Sequence, residues 1–281
     1  MPQTGYPLFS AFTRLSADQT VSVSFTKHPF PSTLFLYFCP SMWAICKKEF
    51  RQFFSNLTGY ITIILFLLLN GLFLFVFSSF NILDYGYATL ESFFNLSPFI
   101  LLLLIPAVTM RLFPDEWRSG TMETLFTRPL TAWQIVLGKY IASLFVVVIA
   151  LLPTLTYLFT MKAMAADGTV LDMGGIAGSY IGLLFLSAAF TAIGLCCSSF
   201  TSNPVVAFLL SAFFCFVLYS GFTALSTFFG AETDYIVEML GMDFHYRSLS
   251  KGVIDSRDVL YFLSIIFFTL FLTVQRISRK K

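Results

Sequence analysis

The sequence predicts an all-α membrane protein with six transmembrane helices, an N-terminal amphipathic elbow helix and a further short helix outside the bilayer. Of its 281 residues, 57% are hydrophobic and only 11% are charged, whereas soluble domains carry about 25% charged residues. Six apolar windows approach the length of about 20 residues that crosses a bilayer. These windows are approximately residues 60–80, 93–113, 140–161, 176–197, 204–229 and 258–274.

The positively charged residues orient these spans, because cytoplasmic loops carry an excess of Lys and Arg. The region before the first window, the second and fourth loops and the C-terminal tail together hold 13 of the 17 Lys and Arg residues. The opposite side holds ten of the 15 acidic residues and only four basic ones, Lys162, Arg247, Lys251 and Arg257. The sequence therefore predicts a multi-pass membrane protein with both termini in the cytoplasm.

Residues 1–41 differ from everything that follows. They lack a basic segment, and their apolar patch at 34–38 is too short for a signal peptide or a span. Two interpretations stay open: a disordered cytoplasmic tail, or an extension of the gene model with translation beginning at Met42. The remaining chain divides into an amphipathic helix over 42–57 and a six-helix transmembrane domain over 58–281.

The segment 42–57 is amphipathic at helical spacing. Its apolar arc comprises Trp43, Cys46, Phe50, Phe53, Phe54 and Leu57, and its polar arc comprises Lys47, Lys48, Arg51, Gln52 and Ser55. A basic face opposite an aromatic face suits a helix that lies in the headgroup region of a bilayer. The segment is therefore either a simple membrane anchor or an elbow helix that also contacts a cytoplasmic partner.

The most elaborate polar segment is 111–139, between the second and third windows. Gly120 allows a sharp turn, and Ser119 or Thr121 can cap a short helix that Pro129 forces to end. That helix would place Met122, Leu125 and Phe126 on one side and Glu123 on another. It is either part of a loop at the membrane interface whose polar groups are satisfied within this chain, or a helix that inserts into a groove of another protein.

Local signals agree with the predicted boundaries of the spans. Thr131–Gln134 has the spacing of a capping box, and Asn203–Pro204 is a typical start of a helix. Pro106 and Pro153 lie inside spans, where each removes a hydrogen bond of the helix, so we expect kinks at both positions.

Small residues predict one close helix contact. Gly174, Gly178 and Gly182 recur every four residues at the start of the fourth span, and such a seam lets two helices approach closely. The contact is made either within one subunit or between two copies in a dimer.

The long outer loop over 230–257 carries a helical pattern of its own. Tyr235, Ile236, Met239 and Leu240 have helical spacing, which predicts a short helix that dips back toward the membrane. A gate at the outer exit is one role for such a helix, and a solvated acidic loop is the alternative.

Several kinds of site are absent from the sequence. No Asp, Glu, Lys, Arg or His lies in the interior of a predicted span, where ion-coupled carriers and intramembrane hydrolases need one. No P-loop, G-x-S-x-G or H-E-x-x-H motif occurs, and with only two His residues we expect no metal site. We therefore expect no catalytic residue and no cofactor in this chain, and a partner that supplies the energy.

One stretch of the polar segment resembles a known family. EWRSGTMETLFTRPLTAWQIVLGK resembles the ABC-2 permease pattern: an acidic residue, Gly-Thr, a Glu two residues later, a Pro that closes the short helix and a Lys that enters the next span. Here these are Glu116, Gly120, Thr121, Glu123, Pro129 and Lys139. The upstream KKEFRQFFSNLTGYI also fits. Over 42–281 the chain is most similar to the permease subunits of gliding-motility-associated ABC transporters, the GldF type.

This resemblance implies that residues 120–128 form a coupling helix seated in a cleft of a separate ATPase. The implied contact residues are Glu116, Gly120, Thr121, Glu123, Leu125, Arg128 and Pro129, beside the elbow-helix residues Lys47, Lys48, Glu49 and Arg51. The implied partners are a GldA-like ABC ATPase that binds ATP and Mg²⁺, a GldG-like accessory membrane protein, a second permease half, identical or related, and the lipid bilayer, with no nucleic acid. Closure of the ATPase pair would rock the two halves between alternating states, and the family's usual direction is export.

Two other functions stay open from the sequence. The chain could be a scaffold that anchors a motility or secretion machine without moving a solute, or a channel that needs no ATPase. The apolar spans suit lipids, polysaccharides carried on lipids or a secreted protein as the substrate.

Overall fold

A computed structural model of the protein describes residues 33–77, 90–127, 130–164, 172–226, 231–252 and 255–280. Within these ranges every regular element is helical, which confirms the predicted all-α fold. Residues 1–32, the greater part of the predicted tail, lie outside the described residues, so both interpretations of 1–41 stay predictions.

Thirteen α-helices follow one another within the described ranges. They are α1 (Thr33–Ser55), α2 (Leu57–Phe75), α3 (Glu91–Thr109), α4 (Pro114–Ser119), α5 (Thr121–Phe126), α6 (Ala132–Leu151), α7 (Leu155–Met164), α8 (Met173–Phe200), α9 (Pro204–Phe216), α10 (Phe222–Ser226), α11 (Ala231–Glu238), α12 (Met242–Ser250) and α13 (Ser256–Ser278). A 3₁₀ turn at Leu152–Thr154 separates α6 from α7, and a π-helical turn at Val217–Gly221 joins α9 to α10.

Five of the described helical stretches are long and apolar enough to cross a membrane. They are Glu91–Ser119, Ala132–Ala163, Met173–Phe200, Pro204–Ser226 and Ser256–Ser278. A sixth candidate is the pair Met42–Ser55 and Gly59–Phe75, whose two parts are bent by 71°. Five to six spans agree with the predicted number, the sixth being counted if the bent pair forms one span. The bend lies between Ser55 and Gly59, where the sequence predicts the end of the elbow helix and the start of the first span.

Helix α8 lies at the centre of the bundle. In its most apolar window 78% of the residues are buried, against 22% in the span that contains α9 and 28% in α13. Leu183, Leu186 and Phe190 of α8 are fully buried in one core with Phe93 of α3 and Phe262 of α13. The span of α9 and α13 therefore leave apolar faces for lipid or another chain.

Two predicted helix starts are confirmed. The hydroxyl of Thr131 accepts a hydrogen bond from the Gln134 amide at 3.3 Å, and the Gln134 side chain accepts one from the Thr131 amide at 2.9 Å. Asn203 Oδ1 accepts a hydrogen bond from the Val205 amide at 3.0 Å, and Pro204 is the first residue of α9. Both caps satisfy amides that a helix start otherwise leaves without partners.

The two prolines inside predicted spans behave differently. Pro153 lies in the 3₁₀ turn between α6 and α7, at the position where the sequence predicts a kink. Pro106 lies within α3, which continues to Thr109 without interruption. The Thr109 hydroxyl at the end of α3 donates to the Ile105 carbonyl oxygen at 3.0 Å, a local side-chain bond to the preceding turn of the helix.

The glycine seam lies against α12 of the same chain. A Cβ added at Gly178 would lie 2.6 Å from Gly252 Cα, and one at Gly182 would lie 2.9 Å from Leu249 Cβ. At Gly174 the nearest atom would be Asp172 Oδ1, at 3.4 Å. Two of the three glycines therefore allow a close contact within the subunit.

A short helix is present in the outer loop as α11 and is followed by α12. Helix α11 ends at Glu238, so it contains Tyr235 and Ile236, whereas Met239 and Leu240 follow it in a turn.

His245 of α12 connects this pair of helices to α13, because its Nδ1 lies 2.6 Å from Asp258 Oδ1 and its ring stacks on Tyr261 at 3.9 Å between centroids. Its Nε2 lies 3.0 Å from the Met239 carbonyl oxygen, which can only accept, so Nε2 carries a hydrogen. Both nitrogens of this buried ring are therefore used to hold α12 in place.

Candidate functional site

Several elements meet at one end of the bundle, which we call the basic end: α1, α4, α5, the beginning of α6 and the end of α13. Their apolar side chains, with Ala192 and Leu195 of α8, form a core in which Phe113, Met122, Ile135, Val136 and Ile277 are each at most 1% exposed. The basic end is thus a packed unit, and charged residues are set inside it.

Lys139, near the beginning of α6, lies in the middle of this unit and is 0% exposed. Its Nζ donates hydrogen bonds to Glu49 Oε1 at 2.8 Å and to the Leu112 carbonyl oxygen at 2.7 Å. Glu116 Oε2 lies 2.9 Å from Nζ but outside hydrogen-bond geometry, so that contact is an ion pair only. These partners compensate a buried ammonium, which would cost several kcal/mol if it were unpaired.

Lys48 reaches the same carboxylates from the surface. Its Nζ donates to Glu116 Oε1 at 2.7 Å and lies 3.4 Å from Glu49 Oε1. Partial burial by itself would lower the pKa of the Lys48 ammonium, but the hydrogen bond and the charge of Glu116 outweigh it and raise this pKa above its usual value. Two ammonium and two carboxylate groups balance here, and we call Lys48, Glu49, Glu116 and Lys139 the ion cluster.

A close approach of α1 and α6 brings the cluster together. A Cβ at Gly138 would lie 2.9 Å from Ile45 Cγ2 and 3.1 Å from the Met42 carbonyl oxygen, so glycine is needed for the backbones to come so near. Glu49 follows Ile45 by four residues and therefore lies on the same face of α1, and Lys139 directly follows Gly138. The contact that requires glycine thus sets the two charges side by side.

The buried face of α1 differs from the predicted apolar arc. Cys46 is buried as expected, but Trp43 is 57% exposed, whereas Ile45 and the charged Glu49 are each 7% exposed. The helix also begins at Thr33 and ends at Ser55, instead of spanning 42–57. The face differs because α1 packs along α6, so that its buried residues are those opposite Gly138 rather than the most aromatic ones.

The predicted short helix of the polar segment is split into α4 and α5. Gly120 separates them at φ +70°, in the left-handed region that favours glycine. Neither Ser119 nor Thr121 caps α5 with its side chain, so the predicted cap is wrong. The Ser119 hydroxyl donates instead to the Asp115 carbonyl oxygen at 2.8 Å, because the glycine turn already redirects the chain.

The two faces predicted for the short helix are confirmed in α5. Met122 is 1% exposed and belongs to the core of the basic end, and Leu125 and Phe126 pack against that core while partly buried. Thr121 and Glu123 are exposed on the other side. A rigidly mounted helix thus presents a hydroxyl and a carboxylate at the surface.

A comparison with known families identifies the chain at this point. Residues 43–240 match the family model described as "ABC-2 family transporter protein". The chain belongs to this family. It is therefore a multi-pass membrane permease of an ABC transporter and not its ATPase, and membership implies pairing with an ABC ATPase. No curated protein matches the chain.

The C-terminal end of the permease contacts the same unit, a contact that no sequence pattern predicts. Lys280 Nζ lies 4.1 Å from the centroid of the Trp117 ring, a cation–π contact, and Trp117 meets Phe126 edge to face at 6.3 Å. Arg276 lies over the Phe200 ring at 5.5 Å. Lys280, just beyond the end of α13, thereby contacts α4, which in turn contacts α5, while α13 itself contacts α8.

The other predicted site residues of the permease fall into three groups. Lys47 and Arg51 are exposed on α1. Glu116, predicted to contact the ATPase, is 7% exposed and gives its carboxylate to the ion cluster, so its side chain serves the interior of the permease. Arg128 and Pro129 lie outside the described residues. Within the described ranges no group of three His, Cys, Asp or Glu residues could hold a metal ion.

Proposed function

We propose that this permease is the membrane half of an ATP-driven exporter, with α5 seated on a separate ATPase that binds ATP and Mg²⁺. In this proposal the basic end and both termini face the cytoplasm of a bacterial cell and the bundle lies in the inner membrane. The excess of Lys and Arg on that side supports the orientation. The coupling helix predicted over 120–128 then corresponds to α5 and the residues that follow it.

The observation that carries the proposal is the ion cluster. Glu116 belongs to α4, Glu49 to α1 and Lys139 to α6, and all three meet within hydrogen-bond or ion-pair distance. Because separating buried partners is strongly unfavourable, a displacement of α4 and α5 is passed to the beginning of α6. A movement of the ATPase is thereby converted into a movement of a membrane span, which is what a coupled transporter requires.

The exposed face of α5 is the surface that we propose for the ATPase contact. Glu123 and Thr121 lie on it, and α1 adds the exposed cations Lys47 and Arg51 at the same end of the bundle. Exposed charges of both signs favour a partner with complementary charges around its cleft.

We further propose the gliding-motility type of transporter, on the resemblance of 42–281 to its permease subunits. The partners would then be a GldA-like ATPase, a GldG-like accessory membrane protein and a second permease half, identical or related. The apolar faces of α13 and of the span that contains α9 offer area for that second half.

The test compares two charge reversals of equal size. The permease is purified from its native host, the copurifying P-loop ATPase is identified by mass spectrometry, and its ATPase rate is measured with and without the permease in liposomes. We expect Glu123→Arg to abolish the stimulation while the protein still inserts and folds. Lys162→Glu, an exposed lysine at the opposite end of the bundle, should leave the stimulation unchanged.

Other outcomes separate the alternatives. Stimulation that persists in Glu123→Arg contradicts the assignment of α5. If no ATPase copurifies with the permease from its native host, the result supports a scaffold. Solute flux into liposomes that contain the permease alone supports a channel.

A further inference from the structure

A second feature lies at the opposite end of the bundle, where α3 and α8 begin and α12 lies, which we call the acidic end. A cavity of about 660 Å³ opens there, a size within the range of about 300–1,000 Å³ that is typical of ligand pockets. It is lined by the first turns of α3 and α8, the π-helical turn, Thr223 and α12, and its lining includes Glu91, Phe94, Asp172, Tyr219, Asp243 and Lys251. The ion cluster of the basic end has no part in it.

The polar wall of this cavity carries charges of both signs. Asp243 is 9% exposed, and its Oδ2 forms an ion pair with Arg247 Nη2 at 2.5 Å and accepts a hydrogen bond from the Thr223 hydroxyl at 3.5 Å. The Arg247 side chain is 55% exposed, and its Nη1 also donates to Glu238 Oε1 at 3.5 Å, so the N–H groups that neither carboxylate takes stay open to a ligand. Lys251, at the end of α12, is exposed and makes no ion pair within the described ranges.

The opposite wall is apolar and extends along the side of α3. Phe94 is buried, but Phe99 lines the cavity and is 48% exposed on a helix that spans the membrane. From Glu91 to Phe99 the helix rises by roughly 12 Å, which leads from the level of the headgroups into the hydrocarbon layer. The cavity therefore has a charged mouth and an apolar side exposed to lipid.

The backbone at the deep end is irregular. The turn Val217–Gly221 is π-helical, a geometry that recurs at functional sites. It places Tyr219 in the lining of the cavity, with its ring edge to face against Phe99 at 5.5 Å between centroids. An aromatic pair thus forms the apolar end beneath the charged residues.

We propose that this cavity binds a phospholipid whose headgroup carries an ammonium beside its phosphate, as phosphatidylethanolamine does. Lys251 and the free part of Arg247 bind the phosphate, Asp243 and Asp172 accept from the ammonium, and the acyl chains lie along Phe99. A headgroup of purely negative charge would be repelled by the carboxylates of Asp243 and Asp172. A free phosphate has no acyl chain to cover the apolar wall. The site concerns the ligand of the permease and not its coupling to an ATPase.

The experiment counts bound lipid on the purified full-length permease by native mass spectrometry. Phosphatidylethanolamine, phosphatidylglycerol and phosphatidylcholine are each titrated into delipidated protein, and soluble glycerophosphoethanolamine serves as the headgroup without chains. We expect one saturable site that prefers phosphatidylethanolamine. Lys251→Gln should weaken it about tenfold, the effect of one charge-assisted hydrogen bond, and Lys162→Gln, which removes a lysine outside the cavity, should not.

A second variant tests the cavity without changing its charge. Asn95 is exposed on α3 and lines the cavity, so Asn95→Trp should fill it and abolish the saturable site, whereas Ser256→Trp at the exposed start of α13 should not. Equal binding of the three lipids, or retention of the site in both Lys251→Gln and Asn95→Trp, overturns the proposal. If glycerophosphoethanolamine binds with the same affinity as phosphatidylethanolamine, the acyl chains do not contribute and the assignment of a lipid ligand is overturned. Because no ATPase is present, failure here leaves the proposed coupling function untouched.

Discussion

The two ends of the bundle use charge in opposite ways. At the basic end Lys139 is fully buried and shares two carboxylates with Lys48. At the acidic end the Arg247 side chain is 55% exposed, and it pairs with Asp243 of its own helix and with Glu238 of α11. Buried charges from three different helices hold those helices together at the basic end, whereas the exposed Arg247 at the acidic end stays partly open to a ligand. This difference is the basis for proposing a joint that couples helices at one end and a ligand site at the other.

The acidic end also contains a buried pair, His245 and Asp258, which can be compared directly with the ion cluster. His245 and Asp258 are 5% exposed, and they join α12 to α13 beside the open cavity. Asp258 Oδ2 and Glu116 Oε2 both lack a hydrogen-bond partner, but Glu116 Oε2 still lies 2.9 Å from the Lys139 ammonium, so the ion cluster is the better compensated of the two. We therefore expect the cluster to contribute more to stability than the His–Asp pair, and the glycine contacts to contribute less than either.

The largest expected effect comes from removing the central cation of the cluster. Lys139→Met should lower the free energy of unfolding by about 3–5 kcal/mol, because Glu49 and Glu116 are left buried and close to each other. Denaturant titration in mixed micelles measures the loss. Adding Glu49→Gln and Glu116→Gln to the same chain should recover much of it, and an additive loss in the triple variant would contradict the cluster as the cause.

A smaller effect is expected at the His–Asp pair. His245→Phe keeps a ring for stacking on Tyr261 but removes both hydrogen bonds, so we expect a loss of about 2–3 kcal/mol. Hydrogen exchange should become faster in α11 and α12 and stay unchanged at the basic end. Asp258→Leu in the same chain should restore part of the stability, because no carboxylate is then left buried without its partner; a further loss would argue against the pair.

The smallest expected loss of stability comes from the glycine seam at the start of α8, where Gly174 and Gly178 can be compared. Gly178→Ala should cost about 1–3 kcal/mol, because its Cβ would lie 2.6 Å from the Gly252 backbone. Gly174→Ala is the matched control, since its Cβ would meet only Asp172 Oδ1 at 3.4 Å, and it should leave the thermal midpoint in detergent nearly unchanged. Equal losses in the two variants would show that helix propensity or lipid contact, and not the contact with α12, governs this seam.

The local elements of the fold could be predicted from the sequence where a short-range pattern is sufficient. The capping box at Thr131, the start of α9 at Asn203 and the two faces of α5 each depend on residues within one or two turns of helix. The cap predicted at Ser119 or Thr121 failed for a related reason. Both residues can cap a helix, but the sequence does not show that the left-handed turn at Gly120 takes their place.

The sequence by itself determined a multi-spanning helical protein, a short two-faced helix between the second and third spans, and the charged residues from which a site could be built. Only the tertiary structure decided that Glu116 turns inward to Lys139, that Glu49 lies on the buried face of α1, and that Lys280 reaches Trp117. These contacts join residues up to 163 positions apart. Hydrophobic periodicity specifies which face of a helix leaves water, but not which neighbour that face meets. The neighbour is set by where backbones can approach, here at Gly138 and Gly178.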